Sequence, residues 1–122
     1  MGKKLNMLTN FFWLIFAHAI GDMALQTDYM GDMKGEWPMV MLAHCIVWTG
    51  CICIALKYID RYKLWKVFFL LIGHFIIDEI SQFYMDYDYS VSEQVINLFD
   101  QIAHLGQLMV VYFGKELFPA CL

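Results

Sequence analysis

Residues 11–28 read FFWLIFAHAIGDMALQTD. The stretch opens as a run fit to enter a membrane and then presents His18, Asp22, Gln26 and Asp28. Burying charge is expensive, so each of these groups requires a partner or a purpose. How the rest of the chain meets that requirement decides the fold.

The chain has 122 residues, enough for a single domain spanning 1–122. It is 61% hydrophobic and only 16% charged, against roughly 45–50% and 25% in ordinary soluble domains. The mean hydropathy of +0.54 points the same way, to an integral membrane protein. A net charge of −4 and the lack of a basic stripe exclude a nucleic-acid partner. Cys45, Cys51 and Cys53 lie inside one apolar segment and Cys121 near the end. Cys51 and Cys53 are two apart and point in different directions on a helix, so the cysteines read as small apolar residues.

Four apolar segments are expected to span the bilayer: 7–26, 37–56, 64–84 and 94–113. Each is close to the roughly 20 residues that a helix needs to cross the hydrocarbon core. Short polar breaks separate them: TDYMGDMKGE, KYIDRYK and MDYDYSVSE. Pro38 fits the first turn of the second helix, and Ser92 fits the cap of the fourth. The fold expected is therefore all-α, an integral membrane four-helix bundle. A soluble bundle would need a charged face on each helix, and WPMVMLAHCIVWTGCICIAL offers none.

Seven of the eight basic residues fall on one side: Lys3, Lys4, Lys57, Arg61, Lys63, Lys66 and Lys115, with Lys34 alone on the other. The positive-inside rule then sets both termini in the cytoplasm. The N-terminal outline, basic then apolar then Ala17-His18-Ala19, resembles a signal peptide. Cleavage there would remove His18, which belongs to a pattern across all four segments, so the segment is expected to be retained.

That pattern is the main functional signal. The four histidines, His18, His44, His74 and His104, fall one per segment. Three have an Asp four residues away: His18 with Asp22, His74 with Asp78, and Asp100 with His104 in reversed order. Residues four apart share a helix face. Counted from the expected cytoplasmic ends, the histidines lie about 9 to 12 residues up and the carboxylates about 13 to 15, a slab near one helical turn thick. The reversal in the antiparallel fourth helix keeps imidazoles level with imidazoles. Seven such groups must converge on the bundle interior rather than face lipid.

Neutral imidazoles with ionised carboxylates make a set rich in acceptors, which one or two divalent transition-metal ions would satisfy. The candidate ligands are His18, Asp22, His44, His74, Asp78, Asp100 and His104, and the donor chemistry favours Zn, Mn or Fe. Any of Asp22, Asp78 and Asp100 could instead serve as a general base or orient a histidine. Gln26, Gln82 and Gln101 flank the slab and are candidate substrate contacts. Gly21, Gly73 and Gly106 are expected to allow close helix packing. A metal-free His–Asp proton relay is the competing reading of the same residues.

FAHAIGDMALQTDYM, MLAHCIVW, GHFIIDEI and LFDQIAHL together resemble a bacterial and phage family of small membrane proteins, domain-of-unknown-function family three-three-zero-seven. The resemblance runs from about Leu14 to Val111. It implies that His18, Gly21, Asp22, Gln26, His44, His74, Asp78, Asp100, Gln101 and His104 form a common site, and it supplies no activity. Met23 stands where the family usually has a bulky aromatic.

The function expected first is a membrane-embedded, metal-dependent hydrolase acting on a lipid-linked or phosphorylated substrate. The alternatives are a non-enzymatic ion or proton transporter, and a phage-type envelope modulator whose metal is structural. The expected partners are the lipid bilayer and such a substrate, with homo-oligomers left open.

Overall fold

The polar residues that interrupt the apolar runs also fix where the helices bend and stop. The computed structural model describes residues 2–87 and 90–114, with the side chains of residues 2–5 excepted. Lys115 and Cys121, and the side chains of Lys3 and Lys4, lie outside the described residues. Helix α1, Gly2–Ala19, runs on into a π-helical turn, Ile20–Ala24, which closes with Leu25 N–H donating to Ile20 O at 2.8 Å. A short helix α2, Asp28–Met33, follows in what the sequence presents as a polar break. Thr27 caps it, its Oγ1 accepting from Met30 N–H at 3.1 Å.

Helix α3 covers Pro38–Tyr58, α4 Leu64–Tyr87 and α5 Glu93–Phe113. Pro38 occupies the first turn of α3, where its missing N–H costs no hydrogen bond. Ser92 caps α5 through Val95 N–H at 3.4 Å. Asp60 ends α3 in the left-handed region, φ 61°. There Arg61 N–H reaches Leu56 O at 2.8 Å and Asp60 N–H reaches Lys57 O at 3.2 Å, a Schellman closure with Asp in the place usually held by Gly.

The long helices close a ring: α1 packs on α3, α3 on α4, α4 on α5, and α5 back on α1, with α2 against α3. No strand occurs among the described residues. Two of the four long helices, over Asn6–Ala24 and Pro38–Tyr58, are apolar and long enough to cross a membrane. Helices α4 and α5 are long enough but less apolar, because Asp78, Glu79, Asp86, Glu93 and Asp100 lie along them.

One half of the interior, toward the end carrying residues 59–63, is an apolar plug. Leu14, Ile52, Leu56, Leu70, Leu108 and Val111 fill it without solvent contact. That basic end is latched across helices. Arg61 donates to Tyr112 O at 3.0 Å, satisfying a terminal carbonyl of α5, and its guanidinium sits 4.2 Å over the Tyr112 ring. Lys66 is buried, and its ammonium donates to Arg61 O at 2.6 Å. The other half of the interior is polar.

A buried histidine–aspartate cluster

Above the apolar plug each long helix contributes to one cluster. Asp22 comes from the π-turn, His44 from α3, His74 and Asp78 from α4, and Asp100 and His104 from α5. His44, His74 and His104 are at most 1% exposed, and Asp22 and Asp78 at most 8%. The expected level rung is therefore present. His74 Nε2 lies 3.1 Å from His44 Nε2, and His74 Nδ1 lies 3.2 Å from His104 Nδ1.

Two ligand-like groups are nested here. Asp22, His44, His74 and Asp78 each offer a donor atom within 4.8 Å of the others, and so do Asp22, Asp100 and His104. His44 Nε2 stands 3.3 Å from both Asp22 Oδ1 and Asp78 Oδ2. His104 Nε2 stands 3.0 Å from Asp78 Oδ1 and 3.2 Å from Asp100 Oδ2. Each of these ring nitrogens is thus flanked by two carboxylates, and Asp78 serves both.

The hydrogen count is short. An N···N contact between neutral imidazoles holds one hydrogen, so His44 Nε2, His74 Nε2, Asp22 Oδ1 and Asp78 Oδ2 have that one among them, and the Lys34 ammonium, 3.2 Å from Asp78 Oδ2, adds a donor from outside the four. Three of the four atoms then face one another as acceptors. Buried acceptors without donors are costly, and a cation among them removes the conflict.

His18 stands apart from both groups. Trp48 Nε1–H, a donor only, points at His18 Nδ1 across 2.9 Å. A neutral His18 therefore carries its proton on Nε2 and donates to Gln101 Oε1 at 2.8 Å. That fixes the Gln101 amide, whose nitrogen donates to Asp22 Oδ2 at 3.0 Å and reaches Asp100 Oδ2 at 3.5 Å. His18 acts on the cluster through Gln101, and its own carboxylate neighbour Asp22 is 4.0 Å away. The π-turn gives the reason: five residues per closure instead of four swing Asp22 off the His18 face toward α3. Gly21 permits it, since a Cβ there would lie 2.9 Å from Trp48 Cα.

Of the three expected glutamines only Gln101 touches the cluster. Gln26 folds against Gly31, with its Oε1 buried and without a hydrogen-bond partner. Gln82 donates to Asp86 Oδ1 at 3.1 Å and packs over Gly35. Gly73 makes room for the Gln107 side chain, whereas nothing lies within 4 Å of a Cβ at Gly106, so that glycine has no packing role in this chain.

Four participants lie outside the expected set of ligands and substrate contacts. Trp48 stacks on His74 with centroids 4.1 Å apart, besides holding His18. It lies four residues after His44, the same spacing as the His–Asp pairs. Lys34 places its ammonium 3.2 Å from Asp78 Oδ2 at the acidic end of the bundle. Its isolation among acidic loop residues was the signal. Ser81 donates to Asp100 Oδ1 at 2.7 Å, and Gln107 Oε1 faces His104 Nδ1 at 3.3 Å. Cys45, Cys51 and Cys53 are free thiols and enter neither group.

Residues 10–119 match the family model described as a protein of unknown function, DUF3307, and the chain belongs to that family. No curated protein and no solved structure matches the chain.

Proposed function

We propose that this is an integral membrane protein whose buried cluster binds a divalent transition metal. The observation that carries the reading is the buried convergence of His44 Nε2, His74 Nε2, Asp22 Oδ1 and Asp78 Oδ2, with one hydrogen between the two rings and only the Lys34 ammonium added at Asp78. Nitrogen and carboxylate donors without thiolate suit Zn, Mn or Fe.

The surface supports four spans rather than two. Phe68, Ile72, Ile76, Ile80 and Phe83 form an exposed apolar stripe along α4, and Leu98, Ile102, Met109 and Phe113 do so along α5. Asp86 and Glu93 are exposed near the helix ends, but His74, Asp78, His104 and Gln107 face inward between them, an arrangement that suits a lipid exterior around a polar interior. Both termini would then lie in the cytoplasm of a bacterial inner membrane, with Lys34 at the outer face.

Lys34 supports the finer reading of a hydrolase for a phosphorylated or lipid-linked substrate. An ammonium beside the metal ligands would attract a phosphoryl oxygen, while the metal polarises the ester and lowers the pKa of bound water. Of the carboxylates, Asp100 is the most accessible, its side chain 15% exposed, so a substrate would meet the cluster on that side. A second reading draws on the imidazole chain. His44, His74 and His104 at 3.1 and 3.2 Å form a path for proton transfer across the bundle, as in a transporter.

The test is elemental analysis of untagged protein purified in detergent, wild type beside His74→Ala. Metal in the wild type that is lost in the variant is the result expected. Phosphate release from a phosphorylated lipid in mixed micelles then tests the hydrolase. A metal-free wild type after exposure to Zn, Mn and Fe would overturn the reading, and proton flux in proteoliposomes would become the assay of choice.

A further inference from the structure

We infer that the cluster is built for two ions, with Asp78 and Asp22 as bridging carboxylates and Asp100 and His104 as the terminal ligands of the second ion. The inference rests on the metal-binding reading above and adds the number of ions and the partition of ligands.

The two oxygens of Asp78 face different partners. Oδ2 looks toward His44 Nε2 at 3.3 Å and His74 Nε2 at 3.6 Å, while Oδ1 looks toward His104 Nε2 at 3.0 Å. Asp22 repeats the division. Its Oδ1 is 3.3 Å from His44 Nε2, and its Oδ2 shares the Gln101 amide with Asp100 Oδ2. A carboxylate with one oxygen in each of two donor sets is the geometry of a bridge, and bridged ions sit roughly 3.5–4 Å apart. Four-helix bundles build such centres from facing helices.

The surroundings of the second ion are arranged for ligation. Ser81 holds Asp100 Oδ1 at 2.7 Å and leaves Oδ2 turned to His104. The Gln107 amide nitrogen faces the carbonyls of Phe69 and Leu70 at 3.4 and 3.5 Å, so its Oε1 is the atom presented to His104 Nδ1. That sets the His104 proton on Nδ1 and turns the Nε2 lone pair to the two carboxylates, as in a metal-bound histidine whose far nitrogen is hydrogen-bonded. His74 Nδ1, 3.2 Å from the same nitrogen, is then an acceptor, and the first ion would displace the hydrogen left on His74 Nε2. Charge agrees as well. Two dications and the Lys34 ammonium against Asp22, Asp78 and Asp100 leave two positive charges, which a bound phosphate dianion would meet.

The experiment is metal counting and electron paramagnetic resonance on the full chain in detergent, loaded with Mn(II) alone. About two equivalents with an exchange-coupled spectrum are expected, as for ions a few Å apart. Asp100→Asn should drop to about one equivalent and give the simple hyperfine pattern of an isolated ion. One equivalent in the wild type, two uncoupled ions, or an Asp100→Asn variant that keeps both would overturn the two-ion inference and leave the metal reading standing. No bound metal in the wild type, with Mn(II) or in parallel loadings with Zn and Fe, would overturn the metal reading itself. The wild-type spectrum decides the question even if the variant does not fold.

Discussion

Trp48 holds the site at two atoms: its indole N–H donates to His18 Nδ1 across 2.9 Å, and its ring lies on His74 at 4.1 Å between centroids. The first contact sets the proton of His18 and, through Gln101, the orientation of Asp22. The second forms the floor of the cluster. The substitution Trp48→Phe separates the two, keeping an aromatic surface while deleting the donor. Metal affinity should fall about 10- to 100-fold, the usual effect of removing a group that orients a ligand. Competition with a chromophoric chelator measures it, and an unchanged affinity would mean that His18 needs no such restraint.

Gly21 and Gly106 make a matched pair. A Cβ at Gly21 would meet Trp48 Cα at 2.9 Å, so Gly21→Ala must push the π-turn away from α3. The expected loss is about 1–3 kcal/mol, typical of overpacking, together with weaker metal binding as Asp22 withdraws. At Gly106 nothing stands within 4 Å, and Ala should stabilise α5 by about 0.5–1 kcal/mol. Thermal unfolding in detergent, followed by helical circular dichroism, should move in opposite directions for the two variants.

Lys34 and an incoming cation compete for Asp78 Oδ2, where the ammonium now sits at 3.2 Å. Lys34→Met removes the competitor, and divalent affinity should rise about tenfold, the scale of one like charge a few Å away in a partly screened site. Inhibition by inorganic phosphate should weaken in the same variant, because the anion loses its ammonium partner. Isothermal titration with Zn and with phosphate reads both signs. A variant whose metal affinity is unchanged would show that the ion pair does not persist in the loaded protein.

Asp60 carries the left-handed backbone that ends α3, with φ at 61°. Glycine adopts that conformation without the steric cost borne by a Cβ. Asp60→Gly should therefore raise stability by about 1 kcal/mol while leaving metal binding untouched, as the turn lies at the opposite end from the cluster. A lower melting temperature would indicate that the Asp60 side chain contributes more than its backbone costs.

The helices, the caps at Pro38 and Ser92 and the level of the histidines were legible because each depends on spacing along one helix. His44 and His104 meet His74 where the rung count puts them. The π-turn at Ile20–Ala24 was not legible, since five-residue closure leaves no mark in a pattern of apolar residues. It is the reason that Asp22 reaches His44 while His18, four residues before it, meets the cluster only through Gln101. Trp48 and Lys34 were hidden for opposite reasons. An indole in an apolar run looks like packing, and a lysine in a loop looks like solvent-exposed charge, until partners on other helices come close. Gln82 shares a helix face with Asp78, whereas Gln26 falls beyond the end of the π-turn; they are taken up beside Gly35 and against Gly31.

Because the donors come from α1's π-turn, α3, α4 and α5, no pair of consecutive helices holds a full set. The order of biogenesis follows. On the proposed reading, helix association must come first, and loading with metal can only be the last event. A bound ion would then act as a clasp between the beginning and the end of the chain, so that a cell starved of metal would hold a population of assembled but unlocked protein, open to proteolysis along the α1–α5 seam.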